Sequence, residues 1–187
     1  MSIIDDLLTD ARESMDKSVE ATQGKFGTVR AGRASPTMLD RVMVDYYGAQ
    51  TPLKQLATIH AAEARLLTVQ PYDKGSIKAI EKAINESDVG LNPSNDGNVV
   101  RLVLPELTEE RRKDLVKVVR GIAEEGRIKI RNVRRDVMQD LRELKDAGEV
   151  GSDEEHRAET ELQKLTDGRI AELDELLKTK EAEILEV

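Results

Sequence analysis

The sequence has no cysteine and no tryptophan, and only one phenylalanine and three tyrosines among 187 residues. Without thiols there can be no disulfide, no thiolate metal site and no cysteine nucleophile, and a reducing cytoplasm fits. Aromatics at 2% leave little ring surface for a sandwich or barrel, whereas 35% charged residues suit long amphipathic helices. No apolar run approaches membrane-spanning length, and the acids Asp5, Asp6 and Asp10 are wrong for a signal or transit peptide, so no leader and no membrane partner are expected. Neither GxxxxGK[ST] nor GxGxxG follows an expected strand; no nucleotide cofactor is expected, and hydrolysis would have to come from a partner. His60 and His156 lie far apart, one in an expected strand and one at an acidic helix start, and read as ordinary surface or structural histidines with no metal. Acids are abundant but lie on solvated faces, which does not suggest a tuned acid and base pair. An enzyme with a site in the middle of the chain is the weakest reading.

The apolar pattern divides the chain. The first helix is expected from Ser2, an N-cap with Asp5 three residues on, to about Arg30, with the stripe Ile4, Leu8, Ala11, Met15, Thr22, Phe26 and Val29. Strand and turn signals follow, because Val42, Val44 and Tyr46 alternate with Met43 and Asp45, and Gly48 and Pro52 punctuate. Further strands are expected at Leu56 to His60, Arg65 to Gln70 and Val99 to Leu104, with one short helix between Asp73 and Ser87. Asn92-Pro93-Ser94-Asn95-Asp96-Gly97 reads as a turn cluster, and Tyr46 and Tyr47 as strand neighbours on opposite faces. Thr108 caps a second long helix that should end at Gly148, and Ser152 with Glu155 forms a capping box for a third. The third helix has the stripe Ala158, Leu162, Leu165, Leu173, Leu176 and Ile184.

Helix one can bury its stripe only against the other two long helices, so the fold expected is α+β: a long, discontinuous three-helix bundle (1–30 and 106–187) with an inserted, strand-rich α/β domain (31–105). Two chain crossings join the domains, and Arg30, Gly32, Arg33 and Pro105 are the candidate hinge.

The net charge is −8, which by itself argues against a nucleic-acid partner. The charge is unevenly spread, however. From Ser152 onward twelve acids face five bases, while the second helix carries a basic row. Its core positions Leu115, Val119, Ile122, Gly126, Ile130, Val133, Val137, Leu141 and Leu144 repeat every eleven residues, close to the natural helix period. On a helical wheel Lys113, Lys117, Arg120, Arg127, Arg131, Arg134, Arg135, Arg142 and Lys145 fall within roughly 60° of one direction, about 140° from that core. Two readings stand: a solvated face, or a footprint for a phosphate backbone. Arg127, Arg131, Arg134, Arg135 and Arg142 crowd together, and the planar arginine fork suits phosphate, which favours RNA.

Several motifs resemble those of the bacterial ribosome recycling factor family over nearly the whole chain. They are Thr28-Val29-Arg30-Ala31-Gly32-Arg33-Ala34-Ser35-Pro36, Asp45-Tyr46-Tyr47-Gly48, the turn cluster above, Leu107-Thr108-Glu109-Glu110-Arg111-Arg112 and Arg131-Asn132-Val133-Arg134-Arg135. The resemblance implies an L-shaped, cytoplasmic, monomeric protein, not an enzyme. Such a protein binds the large ribosomal subunit after termination and, with elongation factor G, splits the ribosome. It also implies that Arg131 and Arg134, with Arg135 beside them, meet 23S ribosomal RNA. Lys117, Arg120, Arg127 and Arg112 complete the candidate RNA-binding set, although Arg112 sits near the core edge and could equally hold the bundle end. Gly126 departs from the small helix former, such as Ala, expected there, and a glycine costs about 1 kcal/mol in helix propensity, so a softer helix is expected just before Arg127. The rival from another class is a helical interaction module or chaperone-like adaptor without an RNA partner, whose binding would respond little to salt.

Overall fold

The computed structural model describes residues 2–186; Met1 and Val187, which open and close the expected helical domain, lie outside the described residues. The chain forms two compact units, one made of the stretch ending at Arg30 together with Glu109–Glu186, the other of Ala31–Thr108.

The helical unit contains three long helices, α1 (Ile3–Thr28), α4 (Glu109–Asp146) and α5 (Ser152–Leu185). Helix α1 starts where Ser2 Oγ accepts from the Asp5 amide at 3.2 Å and the Asp5 carboxylate accepts from the Ser2 amide at 2.8 Å, a reciprocal cap. It stops two residues before the expected end, because Val29 is already extended. At 38 residues α4 is about 57 Å long. Its end is set by Gly148, whose φ of +75° lets its amide reach the Lys145 carbonyl and the Glu149 amide reach the Leu144 carbonyl, both at 2.9 Å.

The expected capping box of α5 is displaced by one residue. Gly151 is the cap, its amide donating to Glu154 at 2.9 Å while its carbonyl receives the Glu155 amide. Ser152 is then the first helical residue, and Glu155 is buried instead of capping, its carboxylate 2.6 Å from Lys145 Nζ. Three and seven residues before Ala158 and Leu162, Glu155 shares their buried face of α5, which explains its burial.

Leu8, Met15, Val19, Ile130, Leu141, Leu162 and Leu173 form the shared core, each worth roughly 1.5–3 kcal/mol of burial. Helix α4 packs against both α1 and α5, so its seam is wider than a single line. Ala123 is fully buried, while Ile122, Val133 and Leu144, expected at the centre, are half-buried at its margins.

Gly126 is buried where three helices converge. A Cβ placed there would overlap the Thr22 hydroxyl of α1 and lie 3.0 Å from Leu173 Cδ1 of α5. Helix α4 runs unbroken through it, and the glycine permits a close approach of the three helices.

The second unit begins with a hairpin, β1 (Met43–Tyr46) and β2 (Ala49–Pro52), followed by the single helical turn α2 (Leu53–Leu56). A four-stranded antiparallel sheet follows in the order β3-β4-β6-β5, formed by β3 (Ala57–Glu63), β4 (Leu66–Pro71), β5 (Pro93–Asn95) and β6 (Val100–Val103). Helix α3 (Ile77–Glu86) buries Ile77, Ile80 and Ile84 against a core that includes Val44, Leu67, Val69 and Leu102. Two strands were hidden in turn chemistry: β2 behind Gly48 and Pro52, and β5 inside the expected turn cluster. Tyr47 is not a strand residue either; with Gly48 it forms the two-residue turn, both at positive φ, and its ring is 84% exposed. Within this unit the segments carrying Gly32 and Leu107 lie side by side, since a Cβ on Gly32 would come within 2.9 Å of Leu107 Cγ. That contact keeps residues 106–108 with the strand-rich unit.

Candidate nucleic-acid interface

Lys117, Arg120, Arg127, Arg131, Arg134, Arg135 and Arg112 all project from α4, but their surroundings differ sharply. The expectation of one uniform outward row fails because α5 runs antiparallel beside it and answers much of it with carboxylates. Arg120 Nε donates to Glu181 at 2.6 Å. Seven residues on, Arg127 places Nε and Nη2 on Asp174 Oδ1 at 2.9 and 2.7 Å, and Nη1 on Glu124 at 2.9 Å. Its side chain is only 20% exposed. These carboxylates raise both guanidinium pKa values, Arg127 chiefly through the Asp174 hydrogen bond and Arg120 through Glu181. At the far end the Glu155 hydrogen bond likewise raises Lys145. Lys113 pairs along its own helix with Glu109 at 2.9 Å. Arg120, Arg127 and Lys145 therefore act first as clamps between α4 and α5.

The clamp at Arg127 follows from the glycine before it. With no side chain at 126, Leu173 can come close to α4, and Asp174, the next residue, lands beside the Arg127 fork.

Between the clamps the pattern changes. Arg131 Nη1 lies 3.1 Å from Glu124, which it shares with Arg127, and remains half exposed; the two arginines together hold the Glu124 carboxyl below its ordinary value, Arg127 contributing most. Arg135 pairs with its sequence neighbour Asp136, at 3.1 Å, with both side chains about two-thirds exposed. Arg134 Nη1 donates to an amide oxygen, Gln163 Oε1, at 3.0 Å. Two shallow depressions meet at Arg134 and Met138. One lies along α4 and is lined also by Arg135, Gln139 and Arg142; the other lies between α4 and α5 and is lined also by His156, Glu159, Thr160, Gln163, Lys164 and Asp167, so it carries acids as well as bases. Arg131, Arg134, Arg135 and Arg142 form the part of the row able to meet a polyanion, because the contacts here are to a glutamate of the same helix, an amide of α5 or a sequence neighbour and not to carboxylates of the facing helix. Arg112, in the first turn of α4, is half-buried, with its Nε out of reach of any acceptor among the described residues.

Of the hinge candidates, Arg30 closes the helical unit, while Gly32, Arg33 and Pro105 belong to the other. In that second unit the Asp73 and Asp96 carboxyls are held below their ordinary values by turn hydrogen bonds, from Gly75 and Val99 foremost, so both stay ionised. Neither lines the broad depression beside β1 and α3, and among the described residues no group of acids and histidines could hold a metal. Among them too, no helix is long and apolar enough to cross a membrane.

Sequence reading missed Gln163. Nothing on acidic α5 marks one glutamine as a partner of α4; the available signal was its four-residue spacing from Asp167, with which it shares a helix face.

A family model described as ribosome recycling factor matches residues 22–185. The ribosome-recycling factor of Rubrobacter xylanophilus is 54% identical over 180 residues, covering 96% of this chain and 97% of that protein. The Bacillus subtilis factor is 51% identical over 182 residues, covering 97% and 98%. A solution structure of a ribosome recycling factor superposes with a TM-score of 0.75 at 41% identity, covering all of both chains. The T. thermophilus ribosome recycling factor, in models of it and of E. coli elongation factor G bound to the E. coli post-termination complex, gives a TM-score of 0.63 at 48% identity, covering 98% of this chain and 100% of that one.

Proposed function

Because the chain belongs to the ribosome recycling factor family, we propose that it binds the large ribosomal subunit after termination and, with elongation factor G, splits the spent complex into subunits for reuse. The observation that carries this is full-length similarity, at about half of all positions, to ribosome-recycling factors, together with the exposed arginine cluster on α4. Arg131, Arg134, Arg135 and Arg142 are the residues that would meet 23S ribosomal RNA, with Lys117 at the periphery. Arg120 and Arg127 hold the bundle together and leave the contact set. The chain contributes a shaped, charged surface and no reaction step of its own; nucleotide hydrolysis falls to elongation factor G. It would work as a monomer in the cytoplasm, with flexure assigned to the connections at Arg30 to Arg33 and at Pro105.

The experiment adds the purified chain, elongation factor G and GTP to post-termination ribosomes and follows subunit separation by light scattering. Separation that requires both proteins is the expected result, and none in the presence of both would overturn the proposal. A salt titration of large-subunit binding distinguishes the adaptor reading, since phosphate neutralisation makes log affinity fall linearly with log salt whereas an apolar helix interface is nearly flat.

A further inference from the structure

We propose that Gln163 is a positioning residue that keeps the Arg134 charge available to RNA by standing between it and Asp167; this rests on the assignment of Arg134 to the RNA-facing set. The argument comes from the register of α4 against α5. Arg120 meets Glu181 and Arg127 meets Asp174, so seven residues forward on one helix correspond to seven back on the other. Continued one step, the ladder would set Arg134 against Asp167. It does not. Gln163 accepts from Arg134 Nη1 through Oε1 at 3.0 Å and donates from Nε2 to Asp167 Oδ1 at 2.8 Å.

The two contacts fix the amide's orientation, because a flipped amide would set NH₂ against the guanidinium and oxygen against the carboxylate. Asp167 is thereby occupied, and Arg134 is held by a neutral acceptor. One rung before Arg134, α5 offers Asp174 to Arg127, and eleven residues beyond Arg134 it offers Glu155 to Lys145. A guanidinium against a carboxylate is close to neutral to an approaching phosphate; one against an amide keeps its unit charge and loses only conformational freedom, which lowers the ordering cost of binding. Arg134 and Met138 are also the two residues common to both surface depressions, so this is the fork whose direction most shapes the surface.

The test measures binding of full-length variants to purified large subunits across a range of KCl concentrations, with helicity checked by circular dichroism. Gln163→Ala lets Arg134 settle on Asp167, and should weaken binding about five- to tenfold and reduce the log affinity against log salt slope by about one. Adding Asp167→Asn should restore both quantities, by more than the same change does in an Arg134→Ala background. In that background Gln163→Ala should be silent. Unaltered affinity and slope in Gln163→Ala, or no specific restoration by Asp167→Asn, overturns the positioning role while leaving the RNA surface intact. A silent Arg134→Ala removes the assignment on which the proposal rests, and the proposal with it.

Discussion

Two stretches of α4 carry similar charge and do different work. Around Arg120 and Arg127 the guanidinium groups reach across to α5 and end on carboxylates; from Arg131 to Arg142 they meet an amide, a shared glutamate or a sequence neighbour, with Arg134 half-buried and Arg131, Arg135 and Arg142 exposed. A basic stripe on a helical wheel is therefore an upper limit on the charge a protein can offer. What remains for a polyanion depends on the helix alongside, and here that helix is acidic at regular intervals. Carboxylates of α5 neutralise part of the arginine row, and the RNA contact proposed above is confined to the remaining part.

The comparison can be broken first at its root. Gly126→Leu should destabilise the bundle by about 3 kcal/mol in urea unfolding, since the added volume must displace Thr22 and Leu173 and so part the helices beside Arg127. If stability rises instead, as helix propensity alone would have it, the close approach is not what the glycine is for. Next in size, Arg127→Ala should cost about 1–2 kcal/mol of stability through lost charged hydrogen bonds and stem packing, with large-subunit affinity changed less than twofold. A large affinity loss with unchanged stability would invert its assignment.

A smaller effect concerns Glu124, which bridges the two stretches. Its folded-state pKa lies below the ordinary 4.5 because Arg127, then Arg131, hydrogen-bond to it. A depressed acid contributes stability above its unfolded value and loses it as pH falls through the folded value. Unfolding measured as pH drops below about 4.5 should thus decline less for Glu124→Gln than for the wild type, and parallel curves would remove the bridge from the account. Smallest is Arg120→Ala, an exposed pair whose loss should shift the urea midpoint less than Arg127→Ala does.

How much of this was readable in advance depends on how local its cause is. The cap at Ser2, the stop at Gly148 and the three-isoleucine face of α3 depend on residues within a turn or two of each other, and the sequence carries them openly. Strand β5 was hidden because Pro93 and Asn95 look like turn residues until β6 pairs with them, and β2 because Gly48 and Pro52 mask a hairpin. The cap of α5 was misplaced by one position because both Ser152 with Glu155 and Gly151 with Glu154 fit the spacing, and burial of Glu155 beside Lys145 decides between them. The arginine row was visible as a row. Its division was not, because Asp174 and Gln163 lie some thirty to fifty residues away and no local pattern announces the register of α5 on α4.

The most direct measurement is the salt dependence of large-subunit binding for two double variants of equal charge loss, Arg120→Ala with Arg127→Ala and Arg131→Ala with Arg134→Ala. The account predicts that the first keeps the wild-type slope of log affinity against log salt and that the second lowers it by about two. Equal reductions in both, or a reduction in the first alone, would contradict it.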